Sequence, residues 1–237
     1  MKFRVLRFQT LGSTSDYLKE NVSSLPSGAL ALAEIQTKGR GRMGRQWESD
    51  GRSLTFSFLL KGERFHGELP LLPFAAGEAV ASSIEELGLG ASLKWPNDVY
   101  LDGRKAAGIL VESLFEGNAF LGAIVGIGVN LNQESFPLSL PFATSLRLEK
   151  GEEIDKESFF QRTLGNLESI LEDPASSLGY FRARDFLKGK RVSLNYYGEN
   201  LVGTARGIDG QGRLLLEKEN GAIEAVSSGE ATLHPQE

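Results

Sequence analysis

The sequence predicts an α+β fold, in which helices flank a mixed, largely antiparallel sheet and a small β-barrel follows. The first observation is a series of apolar runs between residues 91 and 132, separated by two-residue hairpin signals. The second is a pair of segments, 69–88 and 155–173, whose apolar residues have helical spacing. The third is a change near Lys188, after which short strand-like segments alternate with glycine-containing turns.

The first part of the chain predicts a strand, a helix and two further strands. "KFRVLRF" alternates large apolar residues with polar ones, as expected of an opening strand. "GSTSDYLKEN" predicts a helix start, with Ser13 as the cap and Asp16 in the first turn. "GALALAEIQ" and "SLTFSFLL" are apolar runs of strand length and predict buried strands.

The hairpin signals predict an antiparallel meander in the middle of the chain, with helices covering one face. Asp102-Gly103 joins "SLKWPNDVYL" to "KAAGILVESL", and Gly117-Asn118 joins that run to "AFLGAIVGIGVNL".

The domain boundary is predicted near Lys188, which gives a larger domain at 1–187 and a barrel at 188–237. Turns within the barrel are predicted at 197–200, 209–212 and 219–221.

Composition excludes several classes of protein. The 237 residues are 41% hydrophobic and 24% charged, which is ordinary for a globular chain with a sizeable core. The formal net charge of −5 argues against a protein whose main role is to coat nucleic acid. The absence of cysteine excludes disulfides and thiolate metal sites, and the two histidines, His66 and His234, lie far apart. With no signal peptide or membrane-length apolar run, we predict a soluble, cytoplasmic protein.

The segment "TKGRGRMGRQW" (37–47) combines several arginines with several glycines. Arginines close together repel one another and glycines lose backbone entropy on folding, so this composition does not stabilise the fold. Its arginines and glycines are Arg40, Arg42, Arg45, Gly39, Gly41 and Gly44. Composition alone fits a solvated surface loop, and a second interpretation is an RNA-binding arginine-glycine segment. The third is an anion-binding loop, whose glycines admit backbone N–H groups and whose arginines neutralise phosphate. Such a loop would be ordered by its ligand, with Trp47 closing over a flat ring such as adenine.

A second polar cluster lies in "KWPNDVYLDGRKAAGILVE" (94–112). Lys94, Asn97 and Asp98 begin it, and Asn-Asp also starts turns, so a structural and a functional role both stay open. Lys105 follows the predicted hairpin turn, where it is either a solvated edge charge or a point charge aimed at a carboxylate or phosphate. Gly108 in the same strand would let a ligand lie against the backbone.

In "GIGVNLN" (126–132), Gly126 and Gly128 alternate along a strand, so both face the same side and leave a groove there. A strand bend or tight packing would also explain the pair. The segment is not a dinucleotide fingerprint, because a third glycine and a following helix are missing.

Taken together, "STS", "EIQTKGRGRMGRQW", "KWPNDVYLDGRKAAGILVE" and "GIGVNLN" resemble bacterial biotin protein ligases, the biotin–[acetyl-CoA-carboxylase] ligases, in order and approximate spacing. The resemblance implies a catalytic domain at 1–187, similar to class II aminoacyl-tRNA synthetases, and an SH3-like β-barrel at 188–237. It also implies that ATP activates biotin as biotinyl-5′-AMP, which then biotinylates a lysine of a biotin carboxyl carrier protein.

The resemblance implies a role for each matching residue. The catalytic residues would be Lys105, Arg40 and Arg42. The biotin-binding residues would be Ser13, Thr14, Gln36, Gly39, Arg40, Gly108, Leu110, Gly126 and Gly128. The nucleotide-binding residues would be Arg42, Arg45, Trp47, Asn97, Asp98, Lys105 and Asn130. Magnesium would be carried mainly by the ATP phosphates.

The sequence departs from the family pattern in two places. Met43 stands where many relatives have a further arginine, so one phosphate contact is missing or was never needed. Ser15 stands where asparagine is frequent, which leaves its role open. Some relatives carry an N-terminal helix-turn-helix repressor domain, but 12 residues precede the ligase pattern here. We therefore predict a ligase without repressor function. Homodimers are frequent among the relatives, so a homodimer is possible here.

Two alternatives remain beside this prediction. Ligation of lipoate or octanoate uses a related fold and the same adenylate chemistry, although the pairing of "GRGRMGR" with "KWPND" favours biotin. A non-catalytic nucleic-acid-binding module would use the arginine loop and the barrel, and its binding would depend strongly on salt. We expect neither a nucleic-acid nor a membrane partner.

Overall fold

The chain forms two sheets and six α-helices within residues 1–233, the part that the computed structural model describes. The first sheet contains β1 (Arg4–Leu11), β2 (Ala29–Gln36), β3 (Leu54–Leu60), β4 (Ala91–Lys94), β5 (Asp98–Leu101), β6 (Arg104–Glu116) and β7 (Ala119–Val129). The second contains β8 (Arg191–Tyr196), β9 (Glu199–Ile208), β10 (Leu214–Glu217), β11 (Ile223–Val226) and β12 (Thr232–Leu233). The helices are α1 (Thr14–Glu20), α2 (Glu63–Glu68), α3 (Leu72–Glu85), α4 (Leu146–Lys150), α5 (Lys156–Ile170) and α6 (Ser177–Ala183).

The larger sheet is mixed and largely antiparallel, which confirms the predicted fold class. Its strand order is β1-β2-β3-β7-β6-β5-β4, and only the β1–β2 pair is parallel within the described residues. Helix α1 forms the crossover between β1 and β2, which parallel strands require. The meander β4 to β7 is antiparallel throughout, as the hairpin signals predict.

The turn before β6 positions the lysine singled out in the sequence. Asp102 has φ +44° and Gly103 has φ +73°, so both residues adopt the left-handed conformation that a two-residue hairpin requires. Leu101 pairs with Arg104 across this turn, and Tyr100 pairs with Lys105. The hairpin therefore fixes Lys105 one residue inside β6.

Helices α3 and α5 cover one face of the larger sheet and account for the two predicted amphipathic segments. Ten of the residues of α3 are buried, since this helix lies between the sheet and α5. Thr163 of α5 donates a hydrogen bond to the Ser83 hydroxyl of α3 at 3.1 Å, which satisfies both polar groups inside the contact. Helix α1 starts at the predicted cap, where Ser13 Oγ accepts from the Asp16 amide at 3.3 Å.

Three short helices, α2, α4 and α6, were not predicted. They have six, five and seven residues, too few for apolar spacing to reveal a helical period. Tertiary packing supplies most of the stability of helices this short.

The second sheet is the predicted C-terminal SH3-like domain, and it packs against the first domain. Its strands are antiparallel in the order β11-β10-β9-β8-β12. The Trp95 indole N–H donates to the Gly212 carbonyl at 3.0 Å across the contact. Gly212 has φ +75°, and a Cβ there would lie 2.5 Å from a ring carbon of Phe74, so only glycine fits.

The boundary near Lys188 falls between α6 and β8, and it stays a prediction. Residues 234–237, including His234, lie outside the described residues. Among residues 1–233, no helix has the length and apolar character needed to cross a bilayer.

Candidate active site

One cleft of about 420 Å³ brings together almost all the residues to which the resemblance gives a role. The arginine loop, the β5–β6 hairpin, the segment 133–143 and Glu230 of the C-terminal domain surround it. The exception is Gly39, which does not line the cleft. The volume of the cleft is typical of a small-molecule site.

Hydroxyl and amide groups converge at the α1 end of the cleft. The side-chain oxygen Oε1 of Gln36 accepts from the Thr14 backbone amide at 2.7 Å and from the Thr14 hydroxyl at 3.0 Å. The Thr14 and Ser15 hydroxyls lie 2.7 and 2.9 Å from the hydroxyl of Ser57. These groups offer both donors and acceptors to a polar ring, at positions fixed by the start of α1 and by β3.

Glycines form the floor of the cleft, as the alternation in "GIGVNLN" predicts. A Cβ on Gly126 would lie 3.0 Å from Ser15 Oγ, and one on Gly128 would lie 2.4 Å from the Trp47 indole. The same indole is 3.3 Å from a Cβ built on Gly108. The Trp47 indole therefore lies against strands β6 and β7, in the groove that the missing side chains leave.

The arginine loop folds as a narrow hairpin that delivers Trp47 to this floor. Arg40 pairs with Gln46, and the Trp47 amide donates to the Gly39 carbonyl at 3.0 Å. A Cβ on Gly39 would lie 2.4 Å from the Trp47 carbonyl oxygen, so this close return requires glycine. Met43, at the tip, has φ +55° and is 75% exposed, so it does not line the cleft.

The three loop arginines bind different partners. Arg40 contacts Asp16 of α1 and lies 3.4 Å from a carboxylate oxygen of Glu112. Arg45 makes two hydrogen bonds, of 2.6 and 2.5 Å, with the carboxylate of Glu230. Arg42 donates to Asn97 Oδ1 at 3.2 Å and to the Gly229 carbonyl at 3.0 Å. The C-terminal domain therefore holds two of the three arginines.

Charge is incompletely compensated at the Arg42 end of the cleft. Lys105 and Arg45 form ion pairs with Asp98 and Glu230, whereas Arg42 forms none with the described residues. Burial lowers the pKa of Arg42, and Asp98 and Glu230 only partly offset that effect. A partly desolvated guanidinium without a counter-ion favours an anionic ligand.

Asn97 and Asn130 act as links within the site. Asn97 donates to the Ile109 carbonyl at 2.6 Å while its oxygen accepts from Arg42. Asn130 donates to the Thr144 carbonyl at 3.0 Å and to the Lys105 carbonyl at 3.4 Å, which ties the segment after β7 to the β6 strand. The predicted adenine contact of Asn130 stays a prediction, since its amide nitrogen is committed to backbone here.

Sequence reasoning missed three parts of the site. Ser57 is a buried serine in the middle of the apolar strand "LTFSFLL", a mismatch that could have signalled a functional position. Glu230 comes from the C-terminal domain, and no local pattern marks it. The segment 133–143 lines the cleft with Gln133 and Leu140, and its Leu138 and Phe142 are 99% and 71% exposed. Apolar side chains exposed beside a cleft indicate a covering segment.

Magnesium has a carboxylate in the site but no protein cage within residues 1–233, where no three histidine, cysteine or acidic side chains cluster. Asp98 lies in the cleft 2.7 Å from Lys105. This donor set fits a metal that is held mainly by phosphate oxygens.

Two family descriptions match the chain. Residues 5–130 match the biotin/lipoate A/B protein ligase family, and residues 188–233 match the biotin protein ligase C-terminal domain. A biotin–[acetyl-CoA-carboxylase] ligase from Mycobacterium tuberculosis is 36% identical, over 94% of this chain and 85% of that protein. The bifunctional ligase/repressor BirA of Bacillus spizizenii is 34% identical over 87% of this chain, and the match spans 66% of its length.

Solved structures show the same architecture. The biotin protein ligase from Aquifex aeolicus in complex with biotin and ATP superposes with a TM-score of 0.85 and 33% identity, covering 98% of this chain and 99% of that one. The apo structure of the Aquifex aeolicus enzyme gives a TM-score of 0.82 at 29% identity. The matched domains, the fold and the relatives together show that this chain belongs to the biotin/lipoate A/B protein ligase family, with the C-terminal domain of its biotin protein ligases.

Proposed function

We propose that this protein is an ATP-dependent biotin protein ligase. It activates biotin as biotinyl-5′-AMP and transfers the biotinyl group to a lysine of a biotin carboxyl carrier domain. One observation carries the proposal: a single cleft joins the hydroxyl and amide network of Thr14, Gln36 and Ser57 to a cluster of cations through a glycine floor. An elongated ligand with a polar ring at one end and an anion at the other fits this arrangement. The complex of the Aquifex relative with biotin and ATP supports the same assignment.

The first half-reaction requires two anions to meet. A carboxylate oxygen of biotin forms a bond to the α-phosphorus of ATP, and the bond from that phosphorus to the bridging oxygen breaks. Pyrophosphate leaves with the electron pair. Lys105 and Arg42 offset the repulsion between the reactants and stabilise the charge that develops at phosphorus. Magnesium brought in with ATP would supply further positive charge, and Asp98 is the carboxylate in the cleft that would help to hold it.

The arginine loop is suited to close over the adenylate. In its present position the Trp47 indole N–H is buried and has no hydrogen-bond acceptor among residues 1–233. An unpaired buried donor costs about 1–3 kcal/mol, so a second loop position that pairs this group is energetically accessible. Closure would exclude water from a mixed anhydride that water hydrolyses. Arg40 would move with the loop, exchanging its exposed carboxylate partners for the biotin carboxylate and the acyl phosphate.

The second half-reaction needs no nucleophile from this protein. The ε-amine of the carrier lysine attacks the acyl carbon, the bond from that carbon to the phosphate oxygen breaks, and AMP leaves. The site supplies orientation and charge stabilisation for the departing AMP.

Membership of the family does not by itself identify the carboxylic acid that is activated, since the family also contains lipoate ligases. The hydroxyl and amide network favours the ureido ring of biotin over a dithiolane, which offers no comparable donors. Purified protein with ATP and magnesium is incubated with biotin, lipoate or octanoate, and each acyl-AMP is quantified by mass spectrometry. We expect biotinyl-AMP at least tenfold above either competitor. Comparable yields from lipoate would reassign the substrate.

Two further statements stay predictions. We expect no transcriptional repression, which an electrophoretic mobility shift assay with biotin, ATP and operator-like DNA tests. Homodimer formation, which is frequent in the family, is tested by sedimentation of the protein with and without biotin and ATP. Neither outcome alters the ligase assignment.

A further inference from the structure

Lys94 lies in the cleft at the edge of the sheet and has no role in the scheme above. It is the last residue of β4, pairs with Asp98 of β5, and lines the same cavity as Lys105. Its ammonium donates to the Tyr100 hydroxyl at 3.2 Å and lies 5.2 Å above the centre of that ring. Lys94 therefore contributes a positive charge at a defined point.

This charge has no carboxylate partner. Within residues 1–233, no acidic oxygen comes within ion-pair distance of Lys94, although Lys105 and Arg45 are both paired. Burial lowers the pKa of Lys94, and the carboxylates of Asp98 and Glu230 only partly offset that effect. A partly desolvated cation of this kind gains more from an incoming anion than a solvated surface lysine does.

Tyr100 orients Lys94 without neutralising it. Its side chain is 8% exposed and packs against Phe186 with the ring centres 4.9 Å apart, which fixes the phenol. Burial raises the pKa of Tyr100 above its ordinary range, so the phenol stays neutral. The hydroxyl accepts a hydrogen bond, and the positive charge is left available to a ligand.

The sheet order places Lys94 on the far side of Lys105 from the hydroxyl network. Ser57 is on β3, Lys105 on β6 and Lys94 on β4, and β4 is four strands from β3. At the ordinary strand spacing, β4 lies about 19 Å from β3. Lys105, on β6, lies about halfway along this distance. A ligand with its ring near Ser57 and its reacting phosphorus near Lys105 therefore points its remaining phosphates toward Lys94 and Arg45. The neutral adenine has no electrostatic reason to occupy that end.

We propose that Lys94 binds the β- and γ-phosphates of ATP and receives the charge of the pyrophosphate leaving group. This assignment rests on the proposed function, because it presumes that the α-phosphate reacts near Lys105. When the bond from the α-phosphorus to the bridging oxygen breaks, that oxygen gains negative charge, and Lys94 stabilises it. The residue thus acts in adenylate formation and its reversal, and it takes no part in transfer to the carrier.

The test separates the two half-reactions. Lys94→Ala is expected to weaken MgATP and pyrophosphate binding, measured by calorimetry without biotin, by about tenfold, and to raise the KM for MgATP in adenylate formation similarly. Lys94→Arg is expected to recover most of both losses. Transfer from supplied biotinyl-5′-AMP to a carrier domain should stay within about twofold of wild type. Lys2→Ala removes the same charge from an exposed site (90% exposed) and is the matched control.

The outcomes are distinct. Unchanged pyrophosphate and MgATP binding in Lys94→Ala overturns the inference, as does an equal loss in the transfer step. If Lys94→Ala fails to fold, judged by its thermal unfolding, Lys94→Met keeps the aliphatic stem and carries the same prediction. Tyr100→Phe should raise the KM for MgATP about threefold without changing transfer. Wild-type protein that binds MgATP through Lys94 and yet forms no biotinyl-AMP would contradict the proposed function. That result would still support the assignment of Lys94 to the phosphates.

Discussion

Lys105 Nζ lies 2.7 Å from Asp98 Oδ1, across the β5–β6 hairpin and beside the glycine floor of the cleft. The ammonium also lies 6.0 Å from the centre of the Trp47 ring. Asp98 therefore fixes the position of the lysine in the absence of ligand. If Lys105 is removed, the carboxylate of Asp98 is left unpaired and faces the site where two anions must bind.

Lys105→Ala and Arg42→Ala are each expected to slow adenylate formation by about 10²–10³-fold, because each removes a cation placed where charge develops. The rate is followed by pyrophosphate release with the fold checked by circular dichroism. Arg191→Ala, which removes an arginine that pairs with Glu219 on the C-terminal domain, is the control and should retain the wild-type rate. Near-wild-type release from both cleft variants would refute the assigned roles.

The arginine loop is expected to lose protease sensitivity when its ligands bind. Trypsin cleaves after lysine and arginine, and four such residues occur between 38 and 45. Biotin and MgATP together should slow cleavage within 37–47 several-fold, because closure orders the backbone that the protease must open. Peptide mapping of limited digests gives the rate at each site, and cleavage of the exposed residue Lys2 serves as internal control. Equal rates with and without ligands at 37–47 would argue against closure.

Gly128→Ala is expected to impair ligand binding more than folding. The added Cβ would lie 2.4 Å from the Trp47 indole, and the ring must leave the groove that ligand and loop share. We expect biotin affinity to fall about tenfold while the free energy of unfolding changes by less than about 2 kcal/mol. Gly165→Ala is the matched control: it lies inside α5 with no atom within 4 Å of the new Cβ, and it should stabilise the fold by about 0.5–1 kcal/mol. Isothermal titration and urea unfolding measure the two effects, and unchanged affinity in Gly128→Ala would contradict the groove assignment.

Acid is expected to weaken the contact between α3 and α6. Partial burial acts to raise the pKa of Glu85, but hydrogen bonds from Arg184, at 2.6 and 3.0 Å, and from Tyr180 outweigh it and hold that pKa below 4.5. A carboxylate with a lowered pKa stabilises the fold at neutral pH, and this contribution is lost as the pH falls below 4.5 through the folded-state value.

The measurement compares wild type with Glu85→Gln. The difference in their unfolding free energies should be largest near neutral pH and shrink as the pH is lowered to about 3. A constant difference between wild type and Glu85→Gln across this range would show that Glu85 acts through packing alone.

Local sequence patterns predicted the parts of the molecule whose residues interact with near neighbours. The Ser13 cap, the Asp102-Gly103 turn and the paired glycines of β7 each depend on a few adjacent residues, and the structure contains all three. The parallel β1–β2 pair, the short helices and the Arg45–Glu230 contact could not be predicted in the same way. They depend on pairings between distant segments, 185 residues apart for Arg45 and Glu230, that no local period encodes.

The position of Trp47 illustrates the limit within the site. The sequence predicts that Trp47 ends an anion-binding loop and closes over a flat ring such as adenine, and this contact stays a prediction. Its location on the glycine floor follows from the hairpin Arg40–Gln46, whose close return depends on Gly39. Sequence patterns do not predict this position, because it depends on the pairing of Arg40 with Gln46 and on the close approach of Gly39 to Trp47 in the folded loop.

Exchange of radiolabelled pyrophosphate into ATP tests the central claim most directly, because it requires biotin, ATP and the cation cluster of Arg42 and Lys105 to act together. With magnesium present, the purified protein should exchange label when biotin is added, and hardly at all without biotin or with lipoate in its place. A folded, homogeneous preparation that shows no biotin-dependent exchange would contradict the account.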